Sequence, residues 1–174
     1  MGLAPRFIQE MDFWSQLQQS GIAKWVHQSD TIYSYPLILF LHTLGMGLLV
    51  GINAAIDLRI LGFAPEIPIR PMEKAFFPMW VGFAVNAATG SLLFMSDAVR
   101  HVTNPAFFVK LAFIALAITN LKLIRSAVFR DPLLEKRPVQ TNGKILAATS
   151  LAFWLIAITA GRLMAYVAEF VNGS

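Results

Sequence analysis

Cysteine is absent from this chain, which excludes disulfides, iron–sulfur clusters and thiolate metal sites at once. Charge is scarce too. Asp, Glu, Lys and Arg make up 14% of the residues against 56% hydrophobic ones, and the mean hydropathy is +0.60. That balance reads as an integral membrane protein with one domain. The formal charge is +4, but the basic residues flank apolar runs instead of forming a stripe, so nucleic acid is not an expected partner. Residues 1–6 lack the charged start, apolar core and cleavage site of a signal peptide. Gly2 does not mark a myristoylation site, because the sixth position is Arg6. There is no internal repeat and no low-complexity tract.

What the chain does have is long uncharged runs. Residues 32–56 form the first, about 25 residues, enough to cross a bilayer as a tilted helix. Residues 75–96, 106–121 and 145–170 read as three more spans. The connection 57–74 carries Pro65, Pro68 and Pro71 and is a loop, 97–105 is a short turn, and 122–144 is a basic loop. Short connections make successive helices antiparallel neighbours, so the expected architecture is an all-α, up-down four-helix membrane bundle spanning residues 32–174. Residues 1–31 alternate apolar and polar positions at helical spacing. They read as one or two amphipathic helices lying in the membrane interface. Trp14, Trp25, Tyr33 and Tyr35 would form an aromatic belt at headgroup level. Ser29 and Asp30 offer an N-cap to the first span, with Pro36 tolerable in its first turn.

Lys and Arg counts orient the bundle. Loop 57–74 carries three and loop 122–144 carries six, whereas the opposite side has only Arg6, Lys24 and Arg100. Nine against three puts the two long loops in the cytoplasm and both termini outside, as in a multi-pass protein of a bacterial inner membrane.

Polar residues inside the spans are few, and each is a candidate for function. His42 and Asn53 stand eleven positions apart in the first span, about three helical turns, and so share a face. At about 1.5 Å per residue, His42 and Asn86 lie some 15 Å below the outer surface, Arg162 about 14 Å and Lys110 about 6 Å. Four helices thus contribute His42, Asn86, Lys110 and Arg162 to one outward-half cluster. A neutral imidazole in a dry bundle, with two cations between it and the surface, suits a haem b. His42 would be an axial ligand, and Arg162 and Lys110 would partner the propionates. Phe40, Phe83, Phe94 and Trp154 are candidate ring liners. The second axial position would be vacant, be filled by His101, Met95 or Lys110, or come from another chain.

Plainer readings stand beside this one. His42 can simply hydrogen-bond a neighbouring helix. Arg162 can snorkel outward or pair with Glu169, and Lys110 is shallow enough to snorkel. Met46, Met79, Met95 and Met164 suit core filling, although Met46, one turn from His42, keeps a copper(I) site open. Asp57-Leu58-Arg59 reads as a helix-end anchor. Gly47 and Gly51 form a small-xxx-small pair that lets a neighbouring helix approach, and a homo-oligomer is one way to use it.

The runs His42-Thr-Leu-Gly-Met-Gly…Asp57-Leu-Arg59-Ile-Leu-Gly62, Asn104-Pro-Ala-Phe-Phe-Val-Lys110-Leu and Gly161-Arg162-Leu-Met-Ala-Tyr166 resemble an uncharacterised family of small bacterial four-helix membrane proteins. The resemblance covers about residues 25–166 and implies the fold more than the chemistry. More distantly, the order of His42, Arg59 and Lys110-Leu111 is similar to the CopD copper-resistance membrane proteins and the HemJ-type protoporphyrinogen oxidases. That similarity implies a haem or copper role for His42, with Arg59 and Lys110 as functional cations. The chain departs from it at Asn120, where HemJ-like sequences tend to carry a later histidine, which counts against porphyrinogen oxidation. The expected function is a haem b-binding subunit that passes electrons at the outer face to a membrane or periplasmic redox partner. The alternatives are a non-catalytic accessory subunit of a larger membrane complex and a copper-handling protein.

Overall fold

The computed structural model describes residues 3–28, 33–134 and 137–172, with side chains described for 11–26, 33–134 and 137–164. The expected cap at Ser29 and Asp30 lies outside them. Two short helices open the chain, α1 (Leu3–Gln18) and α2 (Gly21–Gln28), and four long ones follow. These are α3 (Tyr35–Leu61), α4 (Phe76–Ser96), α6 (Pro105–Ile124) and α7 (Thr141–Asn172), with a short α5 (Ala98–Val102) between α4 and α6. A 3₁₀ turn (Arg70–Ala75) leads into α4, and a π turn (Arg125–Phe129) ends α6. No strand occurs among the described residues.

Local chemistry sets the ends. Pro36 sits in the first turn of α3, where its missing N–H costs nothing. The helix closes on Gly62, whose φ of +112° is the left-handed geometry that glycine adopts freely. Pro105 opens α6, and Asn104 caps it by accepting from the Ala106 N–H at 3.0 Å. α3 therefore runs five residues beyond the expected 56, which changes the meaning of Asp57.

The four long helices are long and apolar enough to cross a membrane. Their apolar side chains point mostly outward: Phe40 is 61% exposed, Leu155 68% and Phe77 77%. Apolar surface on that scale needs lipid around it, and the chain is a multi-pass membrane protein with an all-α four-helix bundle.

Packing is strongest between α3 and α4 and between α6 and α7, and the two pairs join along α3 and α7. Asparagines tie these contacts. Asn86 Nδ2 on α4 donates to His42 O on α3 at 2.8 Å. Asn120 Nδ2 on α6 donates to Leu146 O on α7 at 2.8 Å, and Asn53 Nδ2 on α3 donates to Ser150 Oγ on α7 at 2.8 Å. Each such bond is worth about 0.6–2 kcal/mol inside a bilayer. α3 and α4 come closest at Gly45 and Gly82. A Cβ on Gly45 would stand 2.8 Å from Gly82 O and 2.9 Å from Asn86 N. Gly47 and Gly51 meet nothing within 4 Å, so the close approach inside the chain uses a different glycine pair from the one the sequence suggested. α4 and α6 meet through aromatic rings at both ends. Phe94 stacks on Phe107 at 5.4 Å toward the end where the termini lie, and Phe76 meets Phe129 edge-on at 5.2 Å at the loop end. Between those rings their backbones barely approach.

The N-terminal helices pack against the bundle. Ala23 and Val26 of α2 are fully buried, α2 packs on α4 and α1 on α5. Trp14 sits edge-on to Phe94 at 5.7 Å. Trp25, Tyr33 and Tyr35 remain exposed.

Candidate functional site

His42 enters the site from α3 with its ring against α4. A Cβ added at Gly90 would lie 3.0 Å from His42 Cε1, so the absence of a side chain there makes room for the imidazole. Nδ1 lies 3.0 Å from Asn86 O and 3.1 Å from Thr89 Oγ1. The carbonyl can only accept, and the Thr89 hydroxyl spends its own proton on Val85 O at 2.6 Å. Nδ1 therefore carries the hydrogen, and Nε2 keeps its lone pair. Among the described residues Nε2 has no hydrogen-bond partner. A metal-bound histidine is commonly held this way, with one ring nitrogen donating to a carbonyl and the other free to ligate.

Lys110 approaches from α6. Its aliphatic chain lies along α7, where a Cβ at Gly161 would meet Cδ, Cε and Nζ at 3.5, 3.6 and 3.7 Å. Lys110 is one turn from Phe107, whose ring stacks on Phe94, itself one turn from the Gly90 that faces His42. The ammonium and the imidazole therefore lie on the same side of that stack. The ammonium makes no ion pair or hydrogen bond among the described residues. The two glycines thus admit a free imidazole nitrogen and a free ammonium to one region, bounded toward the termini by the Phe94–Phe107 stack.

The other expected members fall elsewhere. Asn86 is at the site, but its amide is spent on His42 O. Arg162 is exposed. It follows the buried Ala160 by two positions, about 200° around the helix, and so leaves the packed face of α7. Any pairing of Arg162 with Glu169 lies outside the described side chains, as does the side chain of His27. Phe40 faces outward, Phe83 packs edge-on to Trp80 at 5.5 Å, and Trp154 belongs to the buried core toward the loop end. His101 donates Nδ1 to Asp97 O at 2.6 Å and sits beside Phe94 and Phe107. Asp97 is seven residues beyond Gly90, about 10 Å along α4, so His101 and His42 pack against α4 about two turns apart.

Among the described residues this donor set offers a haem one imidazole with an open nitrogen and one cation for a propionate. A haem brings four of its own nitrogens to the iron and asks little more of the chain. A metal ion held by side chains alone asks for more, and no group of three or more His, Cys, Asp or Glu placed to hold one occurs among the described residues.

A second polar cluster escaped the sequence reading. Asp57, expected as a helix-end anchor, is fully buried between α3 and α7, with Asn53 and Ser150 also at 0% exposure. Asn53 Nδ2 makes a short bond to Asp57 Oδ2. The clue was spacing, because Asn53 and Asp57 are four apart and share a helix face.

No family model, curated protein or solved structure matches this chain.

Proposed function

We propose that this protein is a membrane subunit that holds one haem b between its helix pairs, nearer the outer face, and passes electrons there to a redox partner. The observation that carries the reading is the fixed hydrogen on His42 Nδ1, donated to Asn86 O and Thr89 Oγ1, with Nε2 left free. In this reading His42 Nε2 ligates the iron, and Asn86 O and Thr89 hold the ring so that little ordering is lost on binding. Lys110 offsets the charge of a propionate, and the Phe94–Phe107 stack keeps water from the site. The bound haem supplies reversible one-electron transfer. The basic loops face the cytoplasm of a bacterial inner membrane, and both termini lie outside. The resemblance to the CopD and HemJ groups supports a haem or copper role for His42.

A reduced-minus-oxidised absorption spectrum of the protein purified in mild detergent tests this. Soret and alpha bands at about one haem per chain are expected. A colourless protein from haem-replete cells overturns it. That outcome would favour the accessory-subunit reading, for which the paired bonds between His42 and Asn86 make both residues a helix tie.

A further inference from the structure

We propose that Asp57 is a proton-binding carboxyl, loaded from the cleft at the loop end of the bundle and held by Asn53 and Ser150. The inference is independent of the haem reading, since Asp57 lies just over four helical turns from His42 along α3.

Three buried polar atoms lack partners among the described residues: Asp57 Oδ1, Asn53 Oδ1 and Trp154 Nε1. Trp154 is 4% exposed and stands one turn from Ser150 on the same side of α7. The bonds present run from Asn53 Nδ2 to Asp57 Oδ2 and to Ser150 Oγ, so one carboxyl oxygen is held and the other is not.

Among the described residues no cation pairs with Asp57. On α3 itself, Arg59 turns its guanidinium to Pro65 O and Ile67 O. α4 brings no titratable residue along Phe76–Ser96. From α7, Lys144 is exposed and six positions before Ser150. On α6, Lys122 is exposed and Lys110 belongs to the other half of the bundle. At the loop end Glu73 pairs with Arg125 at 3.5 Å. An uncompensated carboxylate in a dry membrane interior costs several kcal/mol. A proton removes the charge and turns the lone acceptor Oδ1 into a donor, with Asn53 Oδ1 one turn away as an unused acceptor.

The same geometry selects a proton over a metal cation. The Asn53 amide brings its hydrogens to Asp57 Oδ2 and Ser150 Oγ, and a metal ion would meet their positive ends. The route is short. A cleft of about 520 Å³ opens at the loop end, lined by Arg59, Ile60, Gly62, Leu134, Val139 and Lys144 among others. Ile60 is three residues from Asp57, one helical turn.

The test treats the full chain in lipid nanodiscs with dicyclohexylcarbodiimide, which adds to protonated carboxyls in apolar surroundings, and locates the adduct by peptide mass. In parallel, the infrared difference between wild type and Asp57→Asn reads the protonation state without a reagent. Expected are one dominant adduct on Asp57 that declines as pH rises, no effect of sodium, and loss of a protonated-acid carbonyl band in Asp57→Asn. Carboxylate bands at neutral pH in the infrared difference overturn the proposal, whether or not the reagent reaches the site. Protection of Asp57 by sodium also overturns it, in favour of a metal cation. His42→Ala is expected to leave every reading unchanged.

Discussion

An imidazole with both its Nδ1 partners fixed as acceptors has no freedom left in its tautomer, and in His42 those partners are a backbone carbonyl and a hydroxyl already committed elsewhere. Mutating side chains nearby therefore changes the electrostatics of the site more readily than the direction of Nε2. Lys110 is the charge that matters in this account. Lys110→Met is expected to shift the haem midpoint potential or weaken haem retention, because an uncompensated propionate remains. Arg162→Lys is expected to be silent, since Arg162 leaves the packed face of its helix. Redox titration of both variants checks this, and a large shift in Arg162→Lys alone would reverse the assignment. Depth along a helix was legible in the sequence and brought His42 and Asn86 together correctly. Azimuth was not, and it separates Arg162 from Lys110: a single cation in a span carries no sign of which face its helix buries.

Among elements, the α3–α4 contact sets the position of His42 against Gly90. Gly45→Ala and Gly82→Ala place a methyl within 3 Å of the facing helix backbone and are expected to destabilise by about 1–3 kcal/mol. Gly47→Ala and Gly51→Ala meet nothing and are expected to leave thermal stability of the monomer unchanged. A thermal melt in detergent compares the four. The spans themselves were readable because length and apolarity alone decide them. Which glycine faces a neighbour depends on helix rotation, and the small-xxx-small spacing pointed at the outward pair. Asp57 was misread for a related reason: the uncharged run stops at Ile56, but the helix continues to Leu61, so the acid lies inside the bundle and not at its end.

The loop between α6 and α7 has its own pH dependence. Asp131 accepts from Arg137 at 2.8 Å and from Leu133 N at 2.9 Å, and these bonds hold its carboxyl below the usual carboxylate range. A depressed acid stabilises the loop at every pH above its ordinary value of 3.8 and loses that contribution as pH falls through its lower folded value. Protection of the Leu133 amide, taken relative to its intrinsic exchange rate at each pH, is expected to hold down to about pH 4 and to fall below it. In Asp131→Ala, which removes the acceptor, protection at Leu133 is expected to be low throughout.

For the whole molecule, the account requires that the two ends of the bundle face different compartments. Nine Lys and Arg in the two long loops against three on the opposite side predict cytoplasmic loops. A cysteine introduced at Thr141 should resist an impermeant thiol reagent in intact cells and react once the membrane is opened. Labelling in intact cells would invert the topology and move the proposed electron exit to the cytoplasmic face. The measurement that bears most directly on the haem reading is the haem content per chain of His42→Ala, beside His27→Ala and His101→Ala, in protein purified from haem-replete cells. The account predicts loss of haem in His42→Ala, partial restoration by added imidazole, and retention in the other two variants. A full complement of haem in His42→Ala would contradict it.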